Sequence, residues 1–172
     1  HLSIRRQRQM CIRDRGTTGL FDFTSDVMLT IAGSAGLQLI DMANWWLRIT
    51  TPAGQNARQI GTEMDATGEI SPAANRPGEG LVSAADLALG IEVNGHSLGG
   101  YLAAGFTRLF GVEAHVTHTS TFNSAGFAPG SESAFTALQN QIGQSYGLGR
   151  YPNAAEQSNY FGANGIEMTT QN

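Results

Sequence analysis

Residues 91–106, IEVNGHSLGGYLAAGF, decide the reading of the fold. Ile91-Glu92-Val93 fits a short buried strand, NGHSLGG a sharp turn, and residues 98–110 an amphipathic helix. The helix stripe is Leu98, Leu102, Phe106, Leu109 and Phe110, a spacing suited to covering a sheet. Within the turn, Gly95-x-Ser97-x-Gly99 matches a nucleophile elbow, in which serine stands at the tip of a tight strand-to-helix connection. The glycines have a steric cause, since the residues two before and two after the serine must approach each other and the neighbouring strand. Such a turn projects Ser97 Oγ outward at a helix N-terminus, where unpaired N–H groups favour a developing oxyanion. Gly100 adds a second small residue at the helix start.

Working outward, residues 35–50 place Leu39, Met42, Ala43, Trp46 and Leu47 on one helical face, predicting an amphipathic helix packed on a sheet and ended by Pro52 and Gly54. Trp45 and Trp46 read as core and interface packing. Residues 51–80 are rich in proline and glycine and poor in large apolar side chains, so they read as a loop or insertion, open to being either a lid or a plain surface feature. Residues 83–89 form a short helix with Ser83 as N-cap and Gly90 as its stop. Val112 to Phe122 alternates weakly and reads as a strand. A helix capped by Ser131 or Ser133 then turns Ala134, Phe135, Leu138 and Ile142 inward. The order helix, strand, turn, helix, strand predicts an α/β fold with a mostly parallel sheet flanked by helices.

Composition bounds the possibilities further. The chain of 172 residues has 41% hydrophobic and 14% charged side chains, a core-forming balance. No apolar run approaches the ~20 residues that span a bilayer. A net charge of −4 with no basic cluster in the body argues against an electrostatic nucleic-acid binder. One cysteine, Cys11, supports neither a disulfide framework nor a cysteine metal site. No metal-ligand spacing is present, and no cofactor is expected.

The first fifteen residues, HLSIRRQRQMCIRDR, stand apart. All ten basic residues of the chain are arginine, and five of them lie here. There is no apolar region of a secretory signal behind them. The string RRQRQMCIRDR resembles a conceptual translation of sequencing-adapter DNA, so residues 1–15 are expected to lie outside the fold and residues 16–172 to form a partial domain. That body carries five arginines against thirteen acids, a charge of −8, and no cysteine.

VNGHSLGGYLAAGF (93–106) resembles the elbow of class 3, or fungal-type, lipases of the α/β-hydrolase superfamily, in a form similar to lipase domains of large bacterial proteins. Arg15-Gly16-Thr17, with Asp22 and Asp26, looks like the family's RGT segment, and TFNSAGF (121–127) like the strand and loop after the elbow helix. The resemblance implies an α/β-hydrolase-like fold, incomplete at both ends, and a carboxylic ester hydrolase acting on acylglycerols or phospholipids, with contact to a lipid interface. It implies Ser97 as nucleophile, the Leu98 N–H as one oxyanion donor, Thr17 as another, and no cofactor. His96 is the family's usual neighbour and reads as a packing and hydrogen-bonding residue, because consecutive side chains point to different sides. Secretion by a bacterium is the localisation the resemblance suggests, and a cysteine-free body is compatible with it.

The triad order of this fold is serine, acid, histidine. After Ser97 there is no aspartate, and His115 and His118 fall on or beside the next strand, too early for the base. Glu167 is the candidate acid. The expectation is that the chain ends before its histidine and hydrolyses esters poorly. Two other readings stay open: a non-catalytic relative serving as a binding or structural module, and a nucleotide-binding dehydrogenase whose glycine turn Gly95-x-x-x-Gly99 imitates. The latter type wants a glycine where this chain has Tyr101.

Overall fold

The structure, a computed structural model, describes residues 9–11, 35–62, 73–124, 126–127, 131–142 and 157–162. Its framework is a four-stranded, wholly parallel sheet built from β1 (Gln9–Cys11), β4 (Ile91–His96), β5 (Val116–Phe122) and β6 (Gln157–Tyr160), in the spatial order β1-β4-β5-β6. A separate antiparallel pair joins β2 (Asn56–Gln59) to β3 (Ala73–Pro77). The described helices are α1 (Ala35–Thr50), α2 (Ala84–Leu87), α3 (Leu98–Phe110) and α4 (Ser131–Ile142). Parallel strands joined through helices define the α/β class.

Helix α3 lies against β4 and β5, covering one face of the sheet. Val93, Gly95, Thr119 and Thr121 are buried on the α3 side, and the hydroxyls of Thr107 and Thr119 share a buried hydrogen bond of 2.7 Å. On the opposite face Glu92, Asn94, His96, His118, Ser120 and Phe122 are half-buried or exposed. The strand period of two thus separates a packed face from an open one.

Helix α1 has the predicted bounds but a different partner. It packs on α3 and β2 instead of on the sheet. Trp46 meets Phe106 edge-to-face at 4.8 Å between ring centroids, a favoured aromatic geometry. Close approach of the two helices depends on Gly105, where a Cβ would lie 2.5 Å from Leu39 Cδ1. In α4 the predicted inward residues Ala134, Phe135, Leu138 and Ile142 are all buried. Helix α2 starts at a capping box in which Ser83 and Asp86 each satisfy the other's backbone N–H.

Residues 51–80, read as a loop or insertion, contain β2 and β3. Asn44 on α1 holds this pair through both backbone groups of Ile60, accepting from its N–H and donating to its carbonyl. The chain after β3 then returns to the end of α1. Glu79, Gly80 and Val82 donate backbone N–H groups to the carbonyls of Arg48, Thr51 and Ile49. These bonds satisfy carbonyls that a helix C-terminus leaves without partners. The segment is fastened to α1, and a cavity of about 330 Å³ lies there, lined by residues that include Asp41, Trp45, Arg48 and Arg76.

Of residues 1–15, the structure describes three, as β1. Gln9–Cys11 pairs with Glu92–Asn94 as an edge strand. A sheet edge offers backbone donors and acceptors to any extended segment, so this pairing needs no particular side chains. The rest of residues 1–15 lies outside the described residues.

Candidate functional site

Ser97 sits between the last residue of β4 and the first of α3, with φ 53° and ψ −123°. This is a positive-φ conformation that L-residues rarely adopt, and strain of this kind costs about 1–3 kcal/mol and collects at functional sites. The turn is held on both sides. The Ser97 N–H donates to the Phe122 carbonyl at 2.8 Å, and the Ser97 carbonyl accepts from Gly100 and Tyr101 at 2.9 and 3.2 Å. The residue is exposed, and its side chain makes no helix-capping bond.

The glycines meet the steric demand expected of them. A Cβ on Gly95 would collide with the Gly99 carbonyl and lie 2.6 Å from the Gly100 nitrogen. At Gly100 a Cβ would lie 2.6 Å from Ser124 Cβ, so this glycine lets the helix start against the segment that follows β5. Because α3 begins at Leu98, the Leu98 N–H has no intrahelical acceptor and lies immediately beside the serine. The helix N-terminus adds partial positive charge there.

The other candidate residues are placed as follows. Thr17 and Glu167 lie outside the described residues, as do Asp22 and Asp26. His96 closes β4 in register with Phe122 and is exposed, which corrects its reading as a packing residue. His118 pairs in register with Glu92, so it stands five residues back along the strand from Ser97, about 16 Å at ~3.3 Å per residue. Its Nε2 lies 3.0 Å from Ser158 Oγ. His115 lies before β5, at the far end of the sheet. Both histidines thus stand toward the end of the sheet away from Ser97.

Glu113 occupies the turn beyond the C-terminus of α3, at the opposite end of that helix from Ser97. Burial pushes its carboxyl up to about 7. Tyr101, one turn into α3, is buried against Phe127, and burial raises its phenol well above the ordinary value. It serves as core and not as acid or base near neutrality.

Phe122, beside the elbow, and Tyr160, its partner on the next strand, are given no role by sequence reasoning. They end adjacent strands, their rings stack at 4.9 Å and 12°, and both are exposed. An aromatic at the carboxyl end of a strand that follows an elbow helix was the available signal for Phe122. Asn123, with φ 47°, fixes this corner by donating its N–H to the Tyr160 carbonyl and accepting from the Gly162 N–H, each at 2.8 Å.

Among the described residues no helix is long and apolar enough to cross a membrane, and no group of three or more His, Cys, Asp or Glu is gathered as a metal site. Comparison of the chain with known protein families, with curated proteins and with solved structures finds no match.

Proposed function

We propose that this chain is a serine carboxylic ester hydrolase of the α/β-hydrolase type, a lipase or esterase akin to class 3 lipases. The observation that carries the reading is the backbone of Ser97. An exposed serine is held at φ 53° on a strand-to-helix turn that only glycine at position 95 permits. A plain glycine-rich turn has no need to strain its serine, whereas a nucleophile presented at a helix N-terminus does.

In this reading Ser97 Oγ attacks the ester carbonyl carbon and gives its proton to a base, and the carbonyl oxygen becomes an oxyanion facing the Leu98 N–H. Each such donor contributes about 3–4 kcal/mol to the transition state. Collapse of the intermediate breaks the bond to the alcohol, which leaves with a proton, and water then cleaves the acyl-enzyme. Thr17 is proposed as the second oxyanion donor and Glu167 as the acid. No histidine of this chain is assigned as base. Acylglycerols or phospholipids at a lipid interface are the substrates that the sequence resemblance suggests.

A second reading, a hydrolase-fold binding module without turnover, is favoured by one observation: His118 is engaged with Ser158 and lies far from the elbow. A fluorophosphonate probe separates the two. The hydrolase reading expects labelling of the wild-type chain, slow because no base is assigned within it, and none of Ser97→Ala. Equal labelling of both, or of neither, contradicts it.

A further inference from the structure

We infer that the stacked rings of Phe122 and Tyr160 form the ledge on which the apolar acyl portion of the substrate lies, which makes Ser97 selective for medium-chain over short-chain acyl groups. The inference rests on the ester-hydrolase reading of Ser97.

Three observations carry it. Phe122 is joined directly to the nucleophile, because its carbonyl accepts the Ser97 N–H at 2.8 Å. The two rings leave 41% and 52% of their residues exposed, and they stack nearly parallel, giving a continuous apolar surface at the carboxyl end of the sheet. Ligands of open parallel sheets bind beyond those strand ends. Finally, the ledge is rigid: strained Asn123 ties the end of β5 to Tyr160 and to Gly162, so the rings are pre-set instead of assembling on a ligand.

The direction of the ledge sets its specificity. It starts at β5, beside the elbow on β4, and runs across to β6, which puts its far side about 10 Å from the elbow strand at ~4.8 Å between strands. An acetyl group is too short to leave the serine and reach the rings. A medium-length alkyl chain covers both and removes their faces from water, which favours it in proportion to the apolar area buried. His96, in register with Phe122, marks the polar side of this row.

The test compares two p-nitrophenyl phosphonates, one bearing a methyl and one an octyl group on phosphorus, on the full chain. In each, Ser97 Oγ forms a bond to phosphorus, p-nitrophenolate leaves and is read by its absorbance, and the hydroxyl proton goes to buffer. The wild-type chain is expected to react faster with the octyl reagent. In Phe122→Ser and Tyr160→Ser the octyl-to-methyl rate ratio is expected to fall by about tenfold, the scale of discrimination an apolar subsite gives. Tyr160→Phe, which keeps the ring, is expected to keep the ratio. An unchanged ratio in both serine variants, or equal loss of both rates, overturns the ledge while leaving the nucleophile in place. Absence of reaction in the wild-type chain overturns the hydrolase reading and the ledge with it.

Discussion

The place where a side chain on Gly95 would begin is already occupied by the backbone carbonyl of Gly99. Four residues apart in sequence, the two are brought together because the chain reverses from strand to helix within a single strained residue, Ser97. The colliding atom is backbone and cannot rotate aside, so Gly95→Ala must move the start of α3. Overpacking of this kind costs about 1–3 kcal/mol. The variant is expected to melt lower by roughly 2–4 °C per kcal/mol for a chain of this length, and to lose probe labelling as well. Thermal melts followed by circular dichroism, with labelling on the same samples, check both.

The strain at Ser97 makes a second prediction, of opposite sign. Glycine accepts positive φ without the clash that serine suffers, so Ser97→Gly should relieve strain even as it removes the nucleophile. The expected gain is about 1 kcal/mol, the net of strain relief and the greater freedom of glycine in the unfolded chain. Ser97→Ala keeps the Cβ and should show no such gain. Stabilisation on loss of a functional group is what a site built at the expense of stability predicts.

Asn44 should matter far from the elbow. It satisfies both backbone groups of Ile60, which is buried. Asn44→Leu leaves a donor and an acceptor without partners, costing about 1–3 kcal/mol for each group so exposed. Urea denaturation should show the loss. Limited proteolysis should show cleavage moving into residues 51–80, because β2 and β3 lose their anchor on α1.

Glu113 sets a pH dependence. Burial raises its carboxyl from the ordinary value of 4.5 to about 7. The folded chain therefore binds a proton that the unfolded chain has already released between pH 4.5 and 7. Stability falls as pH rises through that window and stays lower above it. Glu113→Gln should be more stable than wild type at pH 8, by about 1 kcal/mol after allowing for its partial solvent exposure, and no more stable below pH 4.5. Melts across that range read the difference directly.

What the sequence reveals follows from which forces hold each element. Helices α1 and α3 are legible to the residue because apolar side chains recur along one face, and burial of that face is what fixes them. The α4 core positions are legible for the same reason. Strands β2, β3 and β6, with sequences NARQ, AANRP and QSNY, carry no apolar alternation. They are held by backbone pairing and by single side chains such as Asn44, whose partners lie 16 residues away. The partner of α1 is hidden for a related reason: an apolar stripe shows that a face is covered, not whether a sheet or a helix covers it. At the site, the glycines and Ser97 are legible because the elbow is a local steric problem. Phe122 and Tyr160 are not, since their stacking depends on the register of β5 with β6.

The central claim is that Ser97 is a nucleophile, and locating the adduct tests it most directly. After reaction with a fluorophosphonate, proteolysis and tandem mass spectrometry should place the phosphonyl group on Ser97 within the peptide carrying residues 91–106. Ser97→Ala should yield that peptide unmodified. A phosphonyl group on any other residue, or an unmodified Ser97 in the wild-type chain after prolonged exposure to excess probe, would contradict the account.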